Sequence, residues 1–289
     1  MGQKDMAGDA GTKVVRIPLS KLRRGDKLAE GGFAVLHTAM NGGGQVVVRQ
    51  LRRELRFNFK LRRRFLDGIA VRRRCADHPN IVQYVGEGGS LFALPYEIIE
   101  FVPGSNLKML IVKRHEVTWK CPLDILRQSA AAMMHIHQLG YLHLDIKPEN
   151  HLVDPAGGKP RVKLSDFDLC QPVSLKEAPK GFGGSRLYLA PEYLERKEIS
   201  VGTDIFAFGV MAFNLYTNQL PFPDSAEIML RDDKFELKYP MSSGREVPPE
   251  VKDIINRCLK RFPAMRFKHG GELFTAIETL YQKERAGRK

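Results

Sequence analysis

The sequence predicts an α+β protein built as two lobes, a small β-rich N-terminal lobe and a larger, mainly α-helical C-terminal lobe. Three observations carry that expectation. From Ile17 to about Gln50 the apolar residues come in short groups separated by glycine-rich turns, GG at 31–32 and NGGG at 41–44, which is strand-and-turn punctuation. After residue 106 the patterns are long and helical, as in LDILRQSAAAMMHIHQLG, TDIFAFGVMAFNLYT and PPEVKDIINRCLKRF. Between the two regimes, PGSN at 103–106 reads as a connector.

In chain order, residues 1–15 are small and polar and read as a flexible N-terminus, 16–102 as the first lobe and 103–289 as the second. Within the first lobe QVVVRQL at 45–51 is a β-branched run suited to a buried strand, ending in Arg49. Residues 51–75 follow with Leu51, Leu55, Phe59, Phe65, Leu66, Ile69 and Ala70 at roughly helical spacing. Ten lysines and arginines share that segment with only Glu54 and Asp67. HPNIVQYVGEGG and LPYEIIEFV read as two further strands.

Composition narrows the function classes. At 289 residues the chain can bury a substantial core, and 43% hydrophobic with 27% charged residues is globular usage. No stretch reaches the roughly 18 apolar residues of a membrane span. The start, MGQKDMAGDAGTK, lacks a signal-peptide core, and Met6 stands where a myristoylation motif wants Ser or Thr. The four cysteines are far apart and form no metal-type pairs, so reduced thiols in a cytoplasmic protein are expected. A net charge of +13 permits attraction to nucleic acid, anionic lipid or acidic protein without choosing among them.

The chemistry concentrates in YLHLDIKPENHLV at 141–153 and KLSDFDL at 163–169. An aspartate, a lysine two residues on and an asparagine three further form a compact polar set, with Asp166 at the end of a strand-like VKL. Phosphoryl transfer needs such parts: a carboxylate for a hydroxyl, a cation for the moving phosphoryl group and oxygen ligands for Mg²⁺.

At these residues the chain resembles the eukaryotic-type protein kinases of the Ser/Thr type. His143-Leu144-Asp145 with Lys147 and Asn150 matches the catalytic loop apart from its arginine, and Asp166-Phe167-Asp168 stands for D-F-G. Ala190-Pro191-Glu192 matches A-P-E, Asp204 the aspartate of the large-lobe helix, and Arg266 the arginine that pairs with Glu192. The order holds from about residue 25 to 280. The resemblance implies a bilobal kinase fold with ATP between the lobes and a protein Ser/Thr hydroxyl as acceptor. It gives Asp145 the hydroxyl, Lys147 the γ-phosphoryl group, and Asn150 and Asp166 the Mg²⁺. It also implies an adenine slot with Leu28 and Leu36 as roof, Leu152 as floor, Ile99 as gatekeeper and Glu100, Phe101 and Val102 as hinge.

The first lobe departs from the family pattern. In LAEGGFAVL, Ala29 and Ala34 replace the outer glycines of the phosphate loop and leave Gly31, each adding a methyl that tightens the loop. Val47 stands above the adenine site, and Arg49 replaces the lysine that clamps the α- and β-phosphates, keeping the charge as a planar fork. The helical glutamate that would partner it falls at 67–69, where Asp67 is the only acid. Leu144 replaces the arginine that binds an activation-loop phosphate, so switching by loop phosphorylation at Ser174 or Ser185 is not expected. The arginine run at 52–74 has two readings: the solvated face of an amphipathic helix, or a docking surface for an acidic partner, membrane headgroups or RNA. Its few aromatics fit the apolar stripe, so base stacking on nucleic acid is not expected. Three functional readings follow: an ATP-dependent Ser/Thr kinase, a pseudokinase scaffold acting through a partner, and a basic nucleic-acid-binding module.

Overall fold

A computed structural model describes residues 13–287 except 90–92, 180–182, 223, 232–235 and 241–245. Most of the small polar N-terminus, including the Gly2–Met6 region, lies outside the described residues. The described chain forms two compact units: residues up to Ala76 with Gln83–Phe101, and Asp77–Val82 with Val102 onward. The expected α+β class, with a smaller β-rich and a larger mainly helical part, is what the elements show.

The smaller unit is an antiparallel sheet of β1 (Arg23–Glu30), β2 (Ala34–Asn41), β3 (Gly44–Leu51), β4 (Tyr84–Gly88) and β5 (Tyr96–Glu100), in the order β1-β2-β3-β5-β4. Alternation sorts β3 between two faces. Val46 and Val48 pack with Ala39, Tyr96 and Ile98 on one of them. On the other, Leu51 and Ala34 pack with Phe65 and Ile69 of α1 (Phe59–Cys75). Asn58 caps α1, its Oδ1 accepting the Leu61 N–H at 3.1 Å.

Starting α1 at Phe59 fixes which residues turn inward. Phe65, Gly68, Ile69, Arg72 and Cys75 are buried, at helical spacing. Phe59 and Leu66, expected on the apolar stripe, are instead exposed, at 78% and 43%. Phe59 sits in the first turn and Leu66 directly follows the buried Phe65, which rotates both off the sheet-facing side.

In the larger unit Gly104 opens the connector with φ +106, and a Cβ there would lie 2.2 Å from the Val153 carbonyl oxygen, so only glycine fits. There follow β6 (Ser105–Asn106), α2 (Leu107–Val112), α3 (Glu116–Lys120), α4 (Pro122–Gln138) and β7 (Tyr141–Leu142). Next come β8 (His151–Asp154), β9 (Arg161–Leu164), β10 (Gln171–Pro172), α5 (Pro191–Arg196), α6 (Val201–Thr217), α7 (Ile228–Arg231), α8 (Pro249–Cys258) and α9 (Gly270–Gly287). Helix α6 is apolar around nearly its whole circumference and is correspondingly buried. A capping box starts it: Ser200 Oγ accepts the Gly202 N–H, and the Ser200 N–H donates to Thr203 Oγ1 at 3.0 Å. No disulfide joins any of the four cysteines. No helix among the described residues is long and apolar enough to cross a membrane.

Candidate active site

The site residues of the larger unit are set by strand pairing and one buried acid. Register pairs His151 with Leu164, which brings Asn150 beside Ser165. The Ser165 N–H donates to the Asn150 carbonyl at 2.8 Å, and Ser165 Oγ donates to it at 3.0 Å. Asp166 therefore emerges next to the catalytic-loop segment, with φ +60, and its Oδ1 accepts the Asp168 N–H at 3.4 Å. Asp168 is buried, so the carboxylate that replaces a glycine here is folded into the turn.

Within the loop, Lys147 Nζ donates to Asp145 Oδ2 at 2.7 Å and to Ser185 Oγ at 2.9 Å. Asn150 Nδ2 donates to Asp145 Oδ2 and to the Asp145 carbonyl, both at 2.8 Å. Two donors thus converge on one carboxylate oxygen, and Oδ1 accepts no hydrogen bond among the described residues. The Asn150 amide, turned nitrogen-first toward Asp145, offers its Oδ1 as the end suited to a hard cation. Asp166 adds carboxylate oxygens of the same hard type, so this donor set fits Mg²⁺ chemically. Among the described residues no three His, Cys, Asp or Glu side chains cluster as a metal cage. Mg²⁺ on a nucleotide requires only one or two protein carboxylates.

Asp204 holds the loop from below. At the start of α6, its Oδ2 accepts the His143 N–H at 2.7 Å and its Oδ1 the Leu144 N–H at 2.7 Å. His137 Nε2 lies 2.9 Å from the same Oδ2. Burial pulls the Asp204 carboxyl upward, but the His137 contact and the hydrogen bond from His143 outweigh it and hold the carboxyl below its ordinary value. The two N–H groups that donate to Asp204 lead into the strained turn at Leu144, whose φ is +61. Leu144 itself packs with Leu142, Leu169, Tyr193 and Ile199, with Val173, Leu175 and Leu189 against the cluster. Farther down, Arg266 makes a bidentate pair with Glu192, Nη1 to Oε1 and Nη2 to Oε2 both at 2.8 Å, with both side chains buried.

The smaller unit carries Leu28, Gly31, Leu36, Val47, Arg49, Ile99 and Glu100; Val102 and Leu152 belong to the larger one. Leu28 is exposed on β1. Leu36, Arg49 and Glu97 stand in register across β2, β3 and β5, with Val47 opposite Ile99 on the same face. Glu100 Oε1 accepts the N–H of Gln83, the residue before β4, at 2.7 Å. Leu152 sits on β8 between Asn106 and Lys163. The Ala34 methyl points into the core with Leu51 and Phe65, so it does not narrow the β1–β2 turn as expected. Gly31 closes that turn by donating to the Ala34 carbonyl at 2.9 Å.

Arg49 has a carboxylate partner, and it is not Asp67. Its Nη1 donates to Glu97 Oε1 at 2.9 Å and its guanidinium lies 4.7 Å from the centre of the Phe65 ring. Arg72 of α1 donates through Nε to the other oxygen, Glu97 Oε2, at 3.0 Å. Arg49, Arg72 and Glu97 are 7%, 1% and 0% exposed, so one buried carboxylate ties the sheet to the helix through two guanidiniums. Asp67 is on the outer face of α1, 3.7 Å from Arg63 one turn earlier. Lys27, an alternative source of charge, is on exposed β1 against Glu30. The arginine run also divides. Arg72 is interior and Arg73 Nη1 donates to Glu87 Oε2 at 2.8 Å, whereas Arg53, Arg56, Lys60 and Arg63 are exposed. Glu97 and Arg72 were missed from sequence. An acid between Tyr96 and Ile98, in a strand otherwise fit for burial, is the signal that marks Glu97.

Comparison with known proteins agrees with this geometry. The family model described as "Protein kinase domain" matches residues 22–277. The chain is 27% identical over 252 residues to the serine/threonine-protein kinase ATG1a of Arabidopsis thaliana, covering 84% of this chain and 39% of that protein. It is 29% identical over 219 residues to the serine/threonine-protein kinase PrkC of Bacillus subtilis, covering 74% and 33%. With the serine/threonine-protein kinase PknA of Mycobacterium tuberculosis it shares 27% over 277 residues, covering 91% and 61%. The chain thus spans between a third and about three fifths of the length of these relatives.

Proposed function

Because the chain belongs to the protein kinase domain family, of serine/threonine type, we propose that it transfers the γ-phosphoryl group of Mg·ATP to a serine or threonine hydroxyl of a protein. The observation that carries this reading is the Asp145 carboxylate, held by Lys147 and Asn150 through one oxygen while the other accepts no hydrogen bond among the described residues. That free edge is where a substrate hydroxyl donates. As the hydroxyl oxygen bonds to the γ-phosphorus, the bond from γ-phosphorus to the β–γ bridging oxygen breaks. ADP leaves with that electron pair, and the hydroxyl proton passes toward Asp145. Lys147, 2.7 Å from Asp145 and steadied by Ser185, supplies positive charge to the moving phosphoryl oxygens. Asn150 and Asp166 would hold the Mg²⁺, which neutralises phosphate charge when bound.

Leu28, Leu36, Val47, Ile99 and Glu100 of the smaller unit, and Val102 and Leu152 of the larger, are assigned to adenine, with Gly31 assigned to the phosphates. Arg49 is assigned to the α- and β-phosphates. Glu97 then acts as its positioning residue, taking the part that Asp67 is too far out to play. The exposed arginines of α1 are assigned to an acidic protein partner.

A second reading, a pseudokinase scaffold, draws support from the same place: the Arg49 fork is already engaged by Glu97 in a buried pair. Titration with ATP in the presence and absence of Mg²⁺ separates the two. The kinase reading expects saturable binding that weakens at least about tenfold in Asp166→Ala, a loss of the size of one strong charge-assisted contact. Binding indifferent to Mg²⁺ and to Asp166 overturns it.

A further inference from the structure

The larger unit contains a cavity of about 740 Å³ whose lining includes none of the catalytic-loop residues. It opens where the corner between α2 and α3, the start of α4, the end of α6, the segment before α8 and the end of α9 come together. Its volume falls within the roughly 300–1,000 Å³ of small-molecule sites. We propose that this cavity binds a small amphipathic organic anion, a flat apolar body carrying one carboxylate.

The apolar half of the argument is the wall. Trp119, Tyr216 and Tyr281 supply aromatic surface, and the buried Leu215 and Val247 supply aliphatic surface. Trp119 is 44% exposed although it is the only tryptophan of the chain. Lys120 Nζ lies 5.4 Å from the centre of the Trp119 ring, and the exposed part of that ring offers contact area to a ligand.

The charged half is a count of partners. Four cations and three carboxylates line the cavity. Asp124 is taken by Arg127, 2.8 Å away, and Glu246 by Lys252 at 2.7 Å. Lys120 is taken by Glu116 at 2.6 Å. Burial first, and then the negative charge of Glu284, raise the pKa of the Tyr216 phenol. Arg114 and Lys159 form no ion pair among the described residues, and the Arg285 guanidinium lies 5.8 Å from the centre of the Tyr281 ring. Arg114 and Lys159 therefore bring positive charge to the lining that no carboxylate among the described residues takes up. An anionic group completes the balance where a cationic one repeats the charge already present.

The cavity carries two reporters of its own. Trp119 is a unique residue, and Cys121 is the one partly exposed thiol, since Cys75, Cys170 and Cys258 are buried. Burial also pushes the Cys75 thiol up to about 12 and raises that of Cys258, and with Cys170 buried as well Cys121 is the readily alkylated cysteine. The test uses the full chain carrying 5-fluorotryptophan, 2-naphthoate as probe and uncharged 2-naphthamide as control. The expected result is a saturable shift of the single fluorine resonance, slower alkylation of Cys121, and affinity about tenfold higher for the anion. The double variant Arg114→Ala/Lys159→Ala should retain the fold and reduce that preference to below about threefold. Prior alkylation of Cys121 with N-phenylmaleimide should abolish the shift without any substitution. The proposal is overturned if naphthoate moves neither reporter, if naphthamide binds as tightly, or if the double variant keeps the full preference.

Discussion

Arg49 and Glu97 face each other across β3 and β5 and meet at 2.9 Å in the interior of the smaller unit. Arg72 closes on the other oxygen of the same carboxylate from α1. A shared, buried carboxylate is costly to remove, because two guanidiniums then lose it together. Glu97→Gln should lower unfolding free energy by about 3–5 kcal/mol, the range for breaking a buried ion pair. Arg72→Met should cost less, since Arg49 still neutralises Glu97. The double variant should cost less than the two singles summed, which urea unfolding measures directly.

The same relationship predicts a contrast in nucleotide binding. Arg49→Ala should weaken ATP binding at least about tenfold. Asp67→Ala, on the outer face beside Arg63, should change it by less than about twofold. An effect of Asp67→Ala as large as that of Arg49→Ala would return the partner role to α1.

Leu144 makes a prediction about regulation. It is 7% exposed in an apolar cluster that includes Leu169 and Leu189 on either side of the activation segment, so packing performs the anchoring that an arginine–phosphate pair would otherwise supply. Leu144→Ala should cost about 2–5 kcal/mol. Leu144→Arg should cost at least as much, because it buries an unpaired charge. Ser174→Glu, at an exposed position in the segment, should leave phosphoryl transfer unchanged; an increase would mean that charge there is read.

His151 supplies a pH dependence. Its ring is fully buried, with Nδ1 2.8 Å from the Lys147 carbonyl oxygen, and burial lowers its pKa to about 4. A histidine with a lowered folded pKa is bound by fewer protons in the native state. Its contribution to stability is intact above the unfolded value near 6.5 and is lost as pH falls toward 4. The loss should approach about 3 kcal/mol at full protonation. Urea midpoints measured between pH 4 and 7.5 should fall on acidification, and His151→Asn should flatten the slope.

How much was legible depended on whether partners are close in sequence. Asp145, Lys147 and Asn150 lie within six positions, so their type and spacing announce the loop that the structure knits with 2.7 and 2.8 Å hydrogen bonds. Glu97 is 48 positions from Arg49 and 25 from Arg72, and only the strand register of β3 and β5 brings them together. Counting back along the helix could find only acids on α1, where Asp67 was the candidate. The stripe of 51–75 failed at Phe59 for a related reason: helical spacing fixes relative angles, while the position of the Asn58 cap fixes where the helix, and hence its buried face, begins. Ala34 was judged from its place in a motif, yet strand alternation decided where its methyl points. The cavity beside Trp119 was invisible, because its walls come from segments up to about 170 residues apart that share no motif.

The central claim is that Asp145, with one oxygen held by Lys147 and Asn150, orients a hydroxyl for phosphoryl transfer. The most direct test is single-turnover transfer from γ-labelled ATP with Mg²⁺ to a generic basic protein, comparing the wild type with Asp145→Asn. The account predicts label on serine or threonine, with the rate falling by about 10²–10⁴-fold in the variant while ATP binding is retained. Transfer at the same rate in both proteins, or no transfer by a wild type that binds Mg·ATP, would contradict it.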